Sequence, residues 1–90
     1  MFLKHNPKDI DGNMNLGIAY YKKNDFDSAK PQFLKSVVLN PANGNAHSLL
    51  TYIYYKNKDY LSAYKHGLLA LQYGVNVDSS LMIFLQSKIK

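Results

Sequence analysis

Shifted by 34 residues, this chain falls on itself: Leu16 meets Leu50, Tyr20-Tyr21-Lys22 meets Tyr54-Tyr55-Lys56, Asp25 meets Asp59, Phe26 meets Tyr60, and Ser28-Ala29 meets Ser62-Ala63. A period in this range marks a stacked-unit architecture, in which each unit is one supersecondary element that cannot bury its apolar face alone. At 90 residues and 47% apolar, the chain has enough hydrophobic surface for a few such units and too much for a disordered segment.

Within the repeat the apolar spacing is helical. Ile10, Met14, Leu16, Gly17, Ala19, Tyr20 and Tyr21 predict a helix from about Asp9 to Lys23, with Asp9 as its N-cap. Asn24 suits the left-handed residue that ends a helix and Asp25 suits the cap of the next, so a short turn joins two antiparallel helices. The second helix, from about Phe26 to Leu39, is expected to direct Phe26, Ala29, Phe33, Val37 and Leu39 inward and to stop at Pro41. Pro31 lies inside it, where the lost hydrogen bond costs about 3 kcal/mol in a helix interior, and is expected as a tolerated distortion on the outer face.

The next unit repeats the plan, with helices from about Asn45 to Lys56 and Tyr60 to Tyr73, Asp59 as the cap and Gly74 as the terminator. Asp78 then caps a fifth helix, Ser79 to about Ile89, with Leu81, Phe84, Leu85 and Ile89 on one stripe that should cover the end of the second unit. Pro7 aligns with Pro41 under the same shift. The predicted organisation is therefore a stub or preceding-unit tail over 1–8, repeats over 10–43 and 44–77, and a capping helix over 78–90.

These residues resemble the tetratricopeptide repeat. The family's pattern of Leu-Gly, Tyr, Ala, an aromatic, Ala and Pro is matched by Leu16-Gly17, Tyr20, Ala29, Phe33 and Pro41 in the first unit, and by Leu50, Tyr54, Ala63 and Ala70 in the second. Departures fall at the large-residue slot, which holds Asn13 and His47, at the small-residue slot of the second unit, which holds Thr51, and at its Phe and Pro positions, Gly67 and Val75. The resemblance implies an all-α solenoid of two helical hairpins plus a C-terminal capping helix. It also implies a non-catalytic scaffold that holds a peptide or helix of a partner protein in a concave groove lined by the first helix of each hairpin.

Carried onto this chain, the groove positions are Asn15, Ile18, Tyr21 and Lys22, then Leu49, Tyr52, Tyr55 and Lys56, then Met82 and Ile83 on the terminal helix. The helical period agrees: Tyr20 and Tyr54 occupy the core-facing stripe, while Tyr21 and Tyr55 lie about 100 degrees further round. Tyrosine is well suited to recognition because it offers a rigid apolar face with a polar tip, although packing within the stack would employ it equally. Family members that clamp acidic chaperone tails use Lys and Asn at set groove positions. Here those positions read Met14, Ile18, Leu49, Ser79 and Ile83, so no such clamp is expected.

Other chemistries find little in the sequence. His5, His47 and His66 fall at unrelated phases and make no i, i+4 ligand pair, so neither metal nor cofactor is expected. Asp9, Asp25, Asp59 and Asp78 stand where caps belong, and no serine triad or glycine-rich phosphate loop is present, so nothing points to an enzyme. The formal charge is +5, but all 11 basic residues are Lys and all 6 acidic ones Asp. Without the guanidinium fork, nucleic-acid recognition ranks third. A structural alternative is stacking or self-association through Met82 and Ile83, expected exposed on the fifth helix. With no cysteine, no signal-peptide pattern and no run long enough to cross a bilayer, the compartment is undetermined and a soluble chain is expected.

Overall fold

The computed structural model describes residues 10–89, which form five helices and no strand: α1 (Ile10–Lys22), α2 (Phe26–Leu39), α3 (Gly44–Lys56), α4 (Tyr60–Gln72) and α5 (Ser79–Lys88). No helix among the described residues is long and apolar enough to cross a membrane. The expectations for residues 1–8, for Asp9 as a cap and for His5 lie outside the described residues. The chain divides into two compact units, Met1–Pro41 with α1 and α2, and Ala42–Lys90 with α3, α4 and α5.

Each hairpin is closed by the same device. Asn24 and Lys58, one repeat apart, are the two described non-glycine residues with positive φ, at 62° and 63°. After each, the Asp amide reaches back across the turn, Asp25 N–H to the Tyr20 carbonyl and Asp59 N–H to the Tyr54 carbonyl, both at 2.9 Å. The left-handed residue itself donates to Tyr21 (2.9 Å) or Tyr55 (3.0 Å). This pair of bonds is the Schellman closure, which satisfies carbonyls that a helix end would otherwise orphan. The same Asp then caps the following helix: Asp25 Oδ1 accepts from Ser28 N–H at 3.2 Å, and Asp59 Oδ1 from Ser62 N–H at 3.3 Å. One residue thus ends one helix and starts the next, which keeps the turn short and the helices antiparallel.

Lys58 holds its left-handed conformation at a cost of about 1–2 kcal/mol that Asn24 largely escapes, because the short Asn side chain tolerates that region. Lys58→Asn is therefore expected to stabilise the chain by about 0.5–1 kcal/mol, read as a rise of a few degrees in a thermal melt. An unchanged or lower melting temperature would contradict this.

In the first unit the core is Ala29, Phe33, Ser36 and Asn13, all fully buried. Leu39, expected inward, is instead exposed, and Ser36 takes the buried place one turn earlier. Ser36 is tolerated there because its hydroxyl donates to the Gln32 carbonyl at 3.1 Å, satisfying it within the helix. Pro31 is exposed and α2 continues past it unbroken. The bond it forfeits is the one to the Asp27 carbonyl, on an exposed first-turn residue.

The second unit buries Ala46, Leu50, Ile53, Ala63, Ala70 and Leu85 completely. Asn43 caps α3 through Ala46 N–H, and Asp78 caps α5 through Ser80 N–H. Gly74, at φ 84°, terminates α4 with the Schellman pair again, Gly74 N–H to Leu71 and Val75 N–H to Ala70.

The departures from the repeat pattern turn out to be linked. Gly17 lies so close to Phe33 that an added Cβ would stand 2.7 Å from the ring. One repeat later those positions are Thr51 and Gly67, so the small and the large partner have changed sides, and the ring's space is left short. Met82 of α5 fills it: its Sδ would lie 2.5 Å from a Cβ at Gly67. Met82, expected exposed, is accordingly half-buried.

Candidate functional site

In each unit the tyrosine next to the core-facing one leans on the first residue of the following helix. Tyr21 meets Phe26 edge-on with ring centroids 5.1 Å apart, and Tyr55 meets Tyr60 at 6.4 Å. The sequence alone left packing and recognition equally open for these tyrosines, and this contact gives part of each ring to its own hairpin. In the second unit Phe84 of α5 joins them, edge-on to both Tyr55 (5.8 Å) and Tyr60 (5.5 Å). Perpendicular contacts of this kind bring the positive ring edge to the negative face and are worth about 0.5–1.5 kcal/mol each beyond area burial.

Two rings of this cluster, Tyr55 and Phe84, floor a groove between α3 and α5, wholly inside the second unit. Tyr52, Tyr55, Asp78, Ser80, Leu81 and Phe84 line about 350 Å³ of it. An adjoining hollow of about 230 Å³ is lined by Tyr55, Lys56, Lys58, Tyr60 and Phe84. Lys88 Nζ stands 5.4 Å from the Phe84 centroid, within cation–π range. The groove is thus aromatic along its floor, acidic at the Asp78 end and basic at the end carrying Lys56, Lys58 and Lys88.

Of the residues picked from sequence, Tyr52 and Tyr55 line this groove and Lys56 sits in the hollow beside it. Leu49 is half-buried on α3. Ile83 is 67% exposed, whereas Met82 is turned to packing against Gly67. On α1, Asn15 and Lys22 are exposed and Ile18 and Tyr21 half-buried. Sequence reasoning missed Asp78, Ser80, Leu81 and Phe84. Phe84, expected on the core stripe of α5, is instead 37% exposed, and only Leu85 of that helix is buried. Adjacent residues can share one core stripe, as Leu50 and Thr51 do on α3, so the sequence held no signal that Phe84 would leave the core beside Leu85.

A second apolar surface lies on α2, where Leu34, Lys35, Val38 and Leu39 border a hollow of about 330 Å³. Val38 is 78% exposed. A single helix supplies this surface, and its lining offers no polar group beyond the Lys35 side chain to orient a ligand.

The structure also unites two histidines that sequence reasoning had kept apart. His47 of α3 and His66 of α4 meet with their Nδ1 atoms 2.8 Å apart. Helical phase is measured along one helix, so it carries no information about a pair that meets across a hairpin. The described residues include no group of three or more His, Cys, Asp or Glu that could hold a metal ion. No family model matches the chain, and comparison with curated proteins finds no match.

Proposed function

We propose that this chain is a tetratricopeptide-like protein-interaction module, and that the α3–α5 face of its second unit binds a peptide segment of a partner protein. The supporting observation is the groove itself: a half-exposed aromatic floor flanked by lysines at one end and an aspartate at the other. Its size is at the lower end of ligand-binding clefts, and its aromatic enrichment is that of recognition surfaces. The chemistry it fits is a segment with one bulky apolar anchor beside acidic residues, the anchor on Tyr52 and Phe84 and the acids toward Lys56 and Lys58. On this reading α1 offers the equivalent positions Asn15, Ile18, Tyr21 and Lys22, and no catalytic step is involved.

The test is a titration of isotope-labelled protein with a synthetic peptide carrying an aromatic residue followed by two Asp, against the same peptide with Asn for Asp. Binding should perturb the amides of Tyr52, Tyr55, Leu81 and Phe84, weaken with Asn, and fall at least about tenfold in Tyr52→Ala with helicity retained. Perturbations confined to other helices, or affinity unchanged in Tyr52→Ala, would overturn the assignment. A stacking or self-association role is the second reading, favoured by the exposure of Ile83 on α5. A mass by light scattering that stays monomeric as concentration rises would dismiss it.

A further inference from the structure

His47 and His66 meet in a specific way. Their ring planes differ by 29° and their centroids are 5.1 Å apart, against 2.8 Å between the Nδ1 atoms. The centroids are farther apart than the nitrogens by about a ring's width, so the two imidazoles meet head-on, nitrogen to nitrogen, and do not stack. That geometry is an N–H···N hydrogen bond with one proton on the shared line. One ring must carry its hydrogen on Nδ1 and the other leave its Nδ1 lone pair free. Two ligands of a metal ion would instead aim their lone pairs at a common third point.

The half-buried His66 and the buried His47 are each flanked by an aromatic ring. Tyr54 of α3 lies parallel to His66 at 5.4 Å, and Tyr73, the C-cap of α4, parallel to His47 at 6.1 Å. His47 is only 4% exposed, and its carbonyl accepts from Thr51 Oγ1 at 2.9 Å. One repeat earlier the same two positions hold Asn13 and Gln32. Both units therefore place a polar residue on each helix at this level, but only the second unit's residues titrate.

We infer that the His47–His66 pair is an acid-operated latch that ties α3 to α4 at neutral pH and is forced open when a second proton enters the pair. The first proton can be accommodated, because an imidazolium still donates through Nδ1 to the neutral partner. The second cannot, since both Nδ1 atoms would then carry hydrogen 2.8 Å apart. It is therefore the second proton, and not the first, that this geometry excludes.

The electrostatics agree with the geometry. Burial, and then positive charge on His47, hold His66 down to about 4 from an ordinary 6.5. A lowered value means that the folded chain binds fewer protons than the unfolded one. The latch's contribution is thus complete above about pH 6.5 and is lost as pH falls from there toward 4. Among the described residues, the titratable rings seen against the pair are Tyr54 from α3 and Tyr73 from the end of α4. Asp59, in the turn between those helices, acts on Tyr54, whose phenol is raised by burial and then by that carboxylate, well away from this range. On the α5 side the contact is Met82 against Gly67, beside His66, and the charged residues of that segment, Asp78 and Lys88, are exposed at its two ends. Acid should therefore loosen the second unit, which carries the aromatic groove, in preference to the first.

Two measurements on the full chain test the latch. In wild-type protein, imidazole nitrogen resonances should show His66 titrating with a midpoint near 4, and its Nδ1 as a hydrogen-bonded partner of His47 at neutral pH. Two independent titrations near 6.5 would overturn the inference. In thermal melts, acidification from pH 7.5 to 4.5 should lower the wild-type melting temperature by at least about 5 °C more than that of the His47→Asn/His66→Gln variant. That variant installs the first unit's residues. Equal slopes in the two proteins would overturn the latch, and if the variant does not fold, the resonance titration alone decides.

Discussion

Phe33→Ala is expected to cost about 3–5 kcal/mol and to unfold the first unit at moderate urea, seen as an early loss of far-ultraviolet circular dichroism. The ring is completely buried and lies directly against Gly17, with three of its atoms within 3.0 Å of where a Cβ would stand. Because α1 and α2 approach so closely there, the backbones cannot collapse further to refill the space. Single domains are stable by only about 5–15 kcal/mol, so a loss of this size removes much of what holds the hairpin. The complementary variant is Gly17→Ala. It gains about 1 kcal/mol in helix propensity but drives a methyl into a ring that has nowhere to go, and the result should be a net loss of about 1–2 kcal/mol. A Gly17→Ala protein as stable as wild type would show the contact to be looser than described.

Met82→Ala is expected to destabilise the second unit by about 2–3 kcal/mol while leaving the first intact. Met82 occupies the space that Phe33 fills in the first hairpin, and its removal leaves Gly67 and Thr51 facing a void. The void also releases α5 from α4, so amide exchange should accelerate along α5 and at Phe84 ahead of Phe33. The contrast with the first unit is sharpest at the glycine. Gly67→Ala confronts only the thioether end of a flexible side chain, which can move aside. Its helix-propensity gain of about 1 kcal/mol should bring the net change close to zero, where Gly17→Ala is clearly harmful. Equal destabilisation by the two Gly→Ala variants, or faster exchange spread evenly over both units, would refute this account of the packing.

The difference between the units bears on function. The exchange of Gly17 and Phe33 for Thr51 and Gly67 is what recruits α5 through Met82. A recruited α5 brings Phe84 to Tyr55 and Tyr60 and so creates the groove between α3 and α5. The binding face proposed here is thus a by-product of a packing substitution in the second hairpin. The His47–His66 latch sits one residue from Gly67, at the same level of the unit. Binding and acid response are therefore expected to be linked: peptide affinity should fall in the pH range that opens the latch.

The helices, their order and their turn chemistry were legible in the sequence because local physics decides them. Hydrophobic period marks α1 through α4, α5 is marked by its cap instead, and an aspartate at Asp25, Asp59 and Asp78 caps a helix from within three residues of its own position. Helix ends read from residue type alone fell within a residue or so of the observed ones. What the residues do across a gap was not legible. Met82 and Ile83 are neighbours of similar character, yet one packs on Gly67 and the other faces outward. Phe84 leaves the core for the tyrosines, and two histidines 19 residues apart bring their Nδ1 atoms to 2.8 Å. Each of these outcomes depends on which surfaces meet at a distance of a few ångströms. That is set by the relative placement of packed helices, a property that periodicity along one chain does not contain.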